Sequence, residues 1–122
     1  MQHIEDNEQM VLFRWAQFQS AKYPELDLLF HIPNGGRRDK REAARFKAMG
    51  VKPGVSDVFL PVARGGYHGL FIELKAPGGR ASNCQKKFIS LIRNQGYRAE
   101  ICFGWEQASQ VILSYIGGKN DH

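Results

Sequence analysis

Two short apolar runs, Asp57–Val62 and Phe71–Ala76, are separated by Arg64-Gly65-Gly66-Tyr67-His68. Apolar, β-branched runs joined by a glycine pair predict a β-hairpin, and this is the strongest constraint on the fold. The second strand is unusual because it carries Glu73 and Lys75 on either side of Leu74. Side chains alternate along a strand, so Glu73 and Lys75 share one face, ~7 Å apart, while Ile72 and Leu74 point the opposite way into the core. Charges in so apolar a strand are costly unless they are paired or bind a metal. The plain structural reading is an ion pair on an exposed sheet face. Phe71, which shares that face, weakens that reading.

The hairpin brings a third charged group to the same face. If the turn centres on Gly66, Asp57 lies opposite Lys75 and diagonal to Glu73. A slip of two residues places Asp57 opposite Glu73 instead. Directly paired side chains lie ~5 Å apart and diagonal ones ~7–8 Å, close enough to share a divalent ion in either register. A small set of hard oxygen donors completed by water suits Mg²⁺ or Mn²⁺ better than zinc.

Other elements follow from periodicity. Val11, Leu12, Trp15 and Phe18 recur at helical spacing within residues 5–22. Leu28–Ile32 reads as a strand ended by Pro33 and the turn Asn34-Gly35-Gly36. A basic helix is expected from about Asp39 to Met49, with Gly50 at its C-terminus. A further helix opens at Ser82, runs through Phe88, Leu91 and Ile92, and stops near Gly96. Tyr97–Phe103 alternates as a strand, and residues 105–116 form an amphipathic helix ended by Gly117-Gly118. The order α-β-α-β-β-α-β-α predicts an α/β fold, a mixed four-stranded sheet with helices on both faces. With 122 residues and no repeat or linker, one domain spanning 1–122 is expected.

Composition narrows the functional classes. No apolar run approaches the ~20 residues of a membrane span, and the acidic, polar Met1–Asp6 start is not that of a secretory signal. Only two cysteines, Cys84 and Cys102, are present, which excludes a disulfide scaffold and a four-ligand zinc module and suits a reducing cytoplasm. Net charge is −3 over residues 1–36, +5 over 37–52 and +3 thereafter. A block as basic as the middle one can attract nucleic acid, or can be an ordinary solvated helix face.

Four further polar residues each have a plain structural reading. Gln85 stands three residues after Ser82, a capping-box spacing that accounts for both without function. Glu8 lies on the stripe with Val11, Leu12 and Trp15, where a carboxylate suits a metal site or simply the first-turn dipole. His31 and His68 are each isolated, and a core or turn role suits them better.

Taken together, Gly54-Val55-Ser56-Asp57, Glu73-Leu74-Lys75 and Ser82-x-x-Gln85 resemble the PD-(D/E)XK nuclease superfamily, and within it the VRR-NUC group. The one departure is Ser56, where the superfamily has a turn-forming Pro. The resemblance implies a restriction-endonuclease-like fold and a metal-dependent endonuclease. Asp57 and Glu73 would bind Mg²⁺, with Mn²⁺ able to substitute, and the Leu74 carbonyl would be a further ligand. Lys75 would orient or deprotonate the attacking water, Gln85 would help position water or phosphate, and Glu8 would reach the metal through water. It further implies a homodimer cutting branched DNA such as four-way junctions, in the cytoplasm of a bacterial or phage-infected cell. Arg37, Arg38, Lys40 and Arg41 are the candidate contacts to the DNA backbone. The competing expectation is a nucleic-acid-binding module whose charged trio only stabilises the sheet; a sequence-specific restriction enzyme would share the chemistry, but the chain leaves little room for a separate target-reading domain.

Overall fold

The computed structural model describes residues 3–33 and 39–117. Four strands form one sheet in the order β1 (Phe30–His31), β2 (Val58–Leu60), β3 (Leu70–Lys75), β4 (Arg98–Phe103). The first three are antiparallel neighbours and β3–β4 is parallel. Helices α1 (His3–Gln19) and α4 (Trp105–Ile116) cover one face, and α3 (Asn83–Asn94), the crossover between the parallel strands, covers the other. The exposed helix α2 (Lys40–Ala48) joins β1 to β2 and buries no residue. This is the mixed, doubly covered sheet that the element order predicts.

The core lies between the sheet and the α1/α4 layer. Val58, Leu60, Ile72 and Leu74 face Leu12, Ala16 and Ile112, all nearly inaccessible to solvent. On the opposite face Phe59 stacks on Phe71 at 4.2 Å, and Phe71 meets Phe88 and Tyr97 edge-on, each at 5.4 Å. This aromatic layer seals the α3 side next to the charged residues.

The hairpin register differs from the one centred on Gly66. Val58 pairs with Ile72 and Phe59 with Phe71, and continuing that ladder puts Asp57 opposite Glu73, the second of the two registers expected. Arg64 and Tyr67 exchange backbone hydrogen bonds around Gly65-Gly66, whose positive φ values suit a tight hairpin turn. The arm from Leu60 to Arg64 holds one residue more than the arm from Tyr67 to Leu70. Pro61 has no N–H to give the ladder, and the Val62 N–H turns back to the Leu60 carbonyl at 2.9 Å. That local turn absorbs the extra residue.

Several boundaries also differ. Helix α1 ends at Gln19 rather than residue 22, and Pro24 starts a separate 3₁₀ turn, Pro24–Leu28. That turn removes Leu28 from the expected strand and leaves β1 only two residues. Phe18, expected on the inner stripe, is 77% exposed, because Leu12 and Ala16 make the buried pair. On α3 the buried residue is Ile89, and Leu91 is 55% exposed. The expected Asn34-Gly35-Gly36 turn and Gly118 lie outside the described residues.

Candidate active site

The site forms where the end of β3 meets the loop before β2 and the first turn of α3. Alternation along β3 turns Glu73 and Lys75 away from the core and beneath α3, and both are buried, Glu73 to 1% exposure. Asp57, half-buried at the mouth of β2, reaches across the hairpin, where its Oδ2 accepts the Leu74 N–H at 2.9 Å. Leu74 thus buries its side chain in the core while its peptide fixes Asp57.

Glu73 is held unevenly. Its Oε2 receives the Gln85 Nε2 donor at 2.9 Å and lies 3.5 Å from the Lys75 ammonium. Its Oε1 is buried with no donor among the described residues. Burial, reinforced by the neighbouring Asp57 charge and by a proton shared with the Asp57 carboxyl, pushes the Glu73 carboxyl up to about 8 even though Lys75 pulls it down. Burial also raises Asp57, against the opposing pull of the Leu74 N–H and of that shared proton. Two crowded carboxylates that resist ionisation, one with a buried oxygen lacking a donor among the described residues, suit a divalent cation that would neutralise them.

The donor chemistry fits Mg²⁺. That ion takes one or two protein carboxylates and keeps several waters. Among the described residues no three His, Cys, Asp or Glu side chains converge on a metal position, so the set is an open pair of carboxylates and not a closed zinc cage.

Gln85 meets its capping reading, and its side chain also reaches Glu73. Ser82 caps α3 and accepts the Gln85 N–H, while Gln85 Oε1 accepts the Ser82 N–H at 2.8 Å, completing a capping box. The box locks the side chain, and the remaining amide nitrogen points at Glu73. Glu8 has a partner that spacing did not reveal: its Oε1 accepts the Trp105 N–H at 2.7 Å and caps α4. The adjacent Gly104 N–H bonds the Lys75 carbonyl at 2.8 Å, so Glu8 stands one peptide from the end of β3 with one carboxylate oxygen already engaged.

His31 is the residue that sequence reasoning set aside. It is exposed on β1, and its Nδ1 lies 2.9 Å from the Asp57 carbonyl. A carbonyl only accepts, so Nδ1 carries the proton. The Ile32 N–H donates to the same carbonyl, and the two donors fix the backbone from which Asp57 projects. Only the pairing of β1 with β2 could have revealed this contact. His68 packs edge-on against Tyr97 at the turn end of β3, in keeping with a turn role.

Lys40 and Arg41 sit in the exposed first turn of α2, which Asp39 caps through the Glu42 N–H. Arg37 and Arg38 lie outside the described residues. No helix among the described residues is long and apolar enough to cross a membrane.

The VRR-NUC domain family matches residues 5–105. A solved structure titled "VRR_NUC domain protein" superposes with a TM-score of 0.84 at 38% identity, covering 96% of this chain and 91% of that one. No curated protein matches. The match to the family spans Glu8, Asp57, Glu73, Lys75 and Gln85 together, and the chain therefore belongs to the VRR-NUC family, a nuclease-type domain.

Proposed function

We propose that the protein is a metal-dependent endonuclease that hydrolyses phosphodiester bonds in branched DNA, four-way junctions included, and that it works as a homodimer. The observation that carries this reading is the buried Glu73 Oε1, beside Asp57 and without a donor among the described residues. An orphaned buried carboxylate oxygen costs about 1–3 kcal/mol or more, a cost that a bound cation removes. Asp57 and Glu73 hold Mg²⁺, or Mn²⁺ in its place, with the Leu74 carbonyl as a third protein ligand. When bound, the ion polarises a phosphoryl oxygen and makes hydroxide accessible near neutral pH.

The chain's own groups do the rest. Lys75, anchored on Glu73 Oε2, orients the attacking water and offsets charge that builds on the phosphate. Gln85 keeps Glu73 in place. Glu8, through its second oxygen, contributes a water-mediated contact. Arg37, Arg38, Lys40 and Arg41 contact the DNA backbone. Two copies related by a twofold axis match the symmetry of a junction, which one small site cannot cut twice without relocating.

The test is incubation of the purified protein with linear, flapped and four-way DNA, with Mg²⁺ or with chelator. Metal-dependent cutting concentrated on the branched substrates is expected. Binding without cutting at any metal concentration would favour the nucleic-acid-binding module. A monomer by light scattering with full activity would remove the homodimer.

A further inference from the structure

A cleft of about 340 Å³ lies between the loop before β2, which leads into Asp57, and one side of α3, whose first turn carries Gln85. Its floor is apolar, made by Pro53, Val55, Phe88 and Leu91, with Lys52 and Lys87 at its rim. A second cleft of about 230 Å³ shares Lys52 and Val55 and continues to Ile32 and Pro33, next to His31. The groove so formed is lined by the two segments that carry the site: Cys84 in its wall precedes Gln85, and Val55 lies two residues before Asp57. Its width is fixed by a close approach. Gly54 has φ +88°, and a Cβ there would meet the Cys84 carbonyl oxygen at 2.4 Å, so the loop is pressed onto the first turn of α3.

We propose that this cleft seats a nucleotide unstacked from the substrate strand next to the scissile phosphate. The inference rests on the nuclease reading and extends it to how branched DNA is told from plain duplex. An apolar floor offers a surface to the face of a base, which an intact duplex hides and an unpaired nucleotide exposes. The rim supplies the complementary charge: among the described residues neither Lys52 nor Lys87 has a carboxylate at ion-pair distance, and both are exposed. A purely apolar peptide would leave these two ammonium groups unmatched, whereas a base with its phosphates satisfies floor and rim together.

The cleft contains its own reporter. Cys84 is exposed, while Cys102, the other cysteine, is buried, and burial pushes its thiol up to about 12. Alkylation by N-ethylmaleimide, read by mass spectrometry, therefore follows Cys84. With Ca²⁺ replacing Mg²⁺, and binding followed by anisotropy, a flapped oligonucleotide at about ten times its Kd should slow alkylation roughly tenfold, because only the free protein reacts. A blunt duplex at equal occupancy should leave the rate unchanged. Leu91→Ser, at an exposed position, should weaken flapped-DNA binding about fivefold or more with duplex affinity intact. Lys52→Ala with Lys87→Ala should lower the slope of log affinity against log salt by about 1.4.

Flapped DNA that binds but neither slows Cys84 alkylation nor responds to Leu91→Ser would overturn the cleft proposal and leave the nuclease reading standing. Loss of a dimer in Leu91→Ser would overturn it as well, by seating a second copy there. Protection of Cys84 in a protein that never cuts DNA with Mg²⁺ would support the cleft and sink the nuclease reading. Failure of the parent protein to bind any DNA would overturn both.

Discussion

Glu73→Gln should have opposite effects on stability with and without metal. In the metal-free protein burial and the Asp57 charge raise the Glu73 carboxyl from 4.5 to about 8. A folded-state value above the unfolded one means that the fold holds a proton the unfolded chain releases between those limits. The stability this group contributes is therefore complete below about pH 4.5 and is lost as pH rises through about 8. At 1.36 kcal/mol per unit, the full loss is up to about 5 kcal/mol. Glutamine has the shape of the protonated acid and carries no charge, so the substituted protein escapes this decline. Urea denaturation of both proteins in chelator, from pH 5 to pH 8.5, should show the variant gaining on the parent steadily and levelling off above pH 8. With saturating Mg²⁺ the order should reverse, since only the parent retains both carboxylates to bind the ion and gain stability by mass action. A stability difference independent of pH would refute the assignment of Glu73 as a buried, proton-holding group. Equal stabilisation of both proteins by Mg²⁺ would remove it from the metal site.

Three further outcomes are expected. Lys75→Ala should leave DNA and Mg²⁺ affinity nearly intact and lower single-turnover cleavage about a hundredfold or more, the scale of losing one positioned charge-stabilising group; a parental rate would exclude Lys75 from the chemistry. His31→Ala should weaken Mg²⁺ binding by calorimetry, whereas His31→Asn, whose amide nitrogen can replace Nδ1 as donor to the Asp57 carbonyl, should restore it; equal losses in both would mean the hydrogen bond is incidental. Ser56 is fully buried and its hydroxyl has no partner among the described residues, so Ser56→Ala should raise stability by about 1 kcal/mol with cleavage unchanged, and a drop in Tm would show that the hydroxyl has a partner.

The fold was legible where strand alternation or a helix period and its terminal glycine agree, and less so at the end of α1 and in β1. Strand alternation separates Glu73 and Lys75 from Ile72 and Leu74, and the structure divides the four between α3 and the core as that alternation requires. The bounds of α4 match the expected 105–116 because its apolar period and terminal glycine agree. What stayed hidden depends on contacts distant in sequence or on one irregular residue. Pro61 and the reversed Val62 N–H move the hairpin register, and no count of the glycine turn reveals that. The partner of Glu8 is an N–H 97 residues away, and the value of His31 depends on a two-residue edge strand pairing with β2.

Gln85 shows how a capping residue can also hold a side chain at the candidate site. A capping box uses the Gln backbone N–H and the side-chain oxygen, and leaves both N–H bonds of the amide unspent. Because both ends of the box are anchored in the first turn of α3, the amide nitrogen has little rotational freedom left. The crossover from α3 to β4, parallel to β3, sets that turn over the end of β3, so the spare donor falls on Glu73 Oε2. The other oxygen of Glu73 is thereby left to face Asp57's side of the site without a donor among the described residues. The cap thus does more than end a helix: with Lys75 it occupies one oxygen of the carboxylate, and in the proposed site the other oxygen is the one that would meet a cation. Local helix chemistry and the charge asymmetry of the site are then two consequences of one side chain.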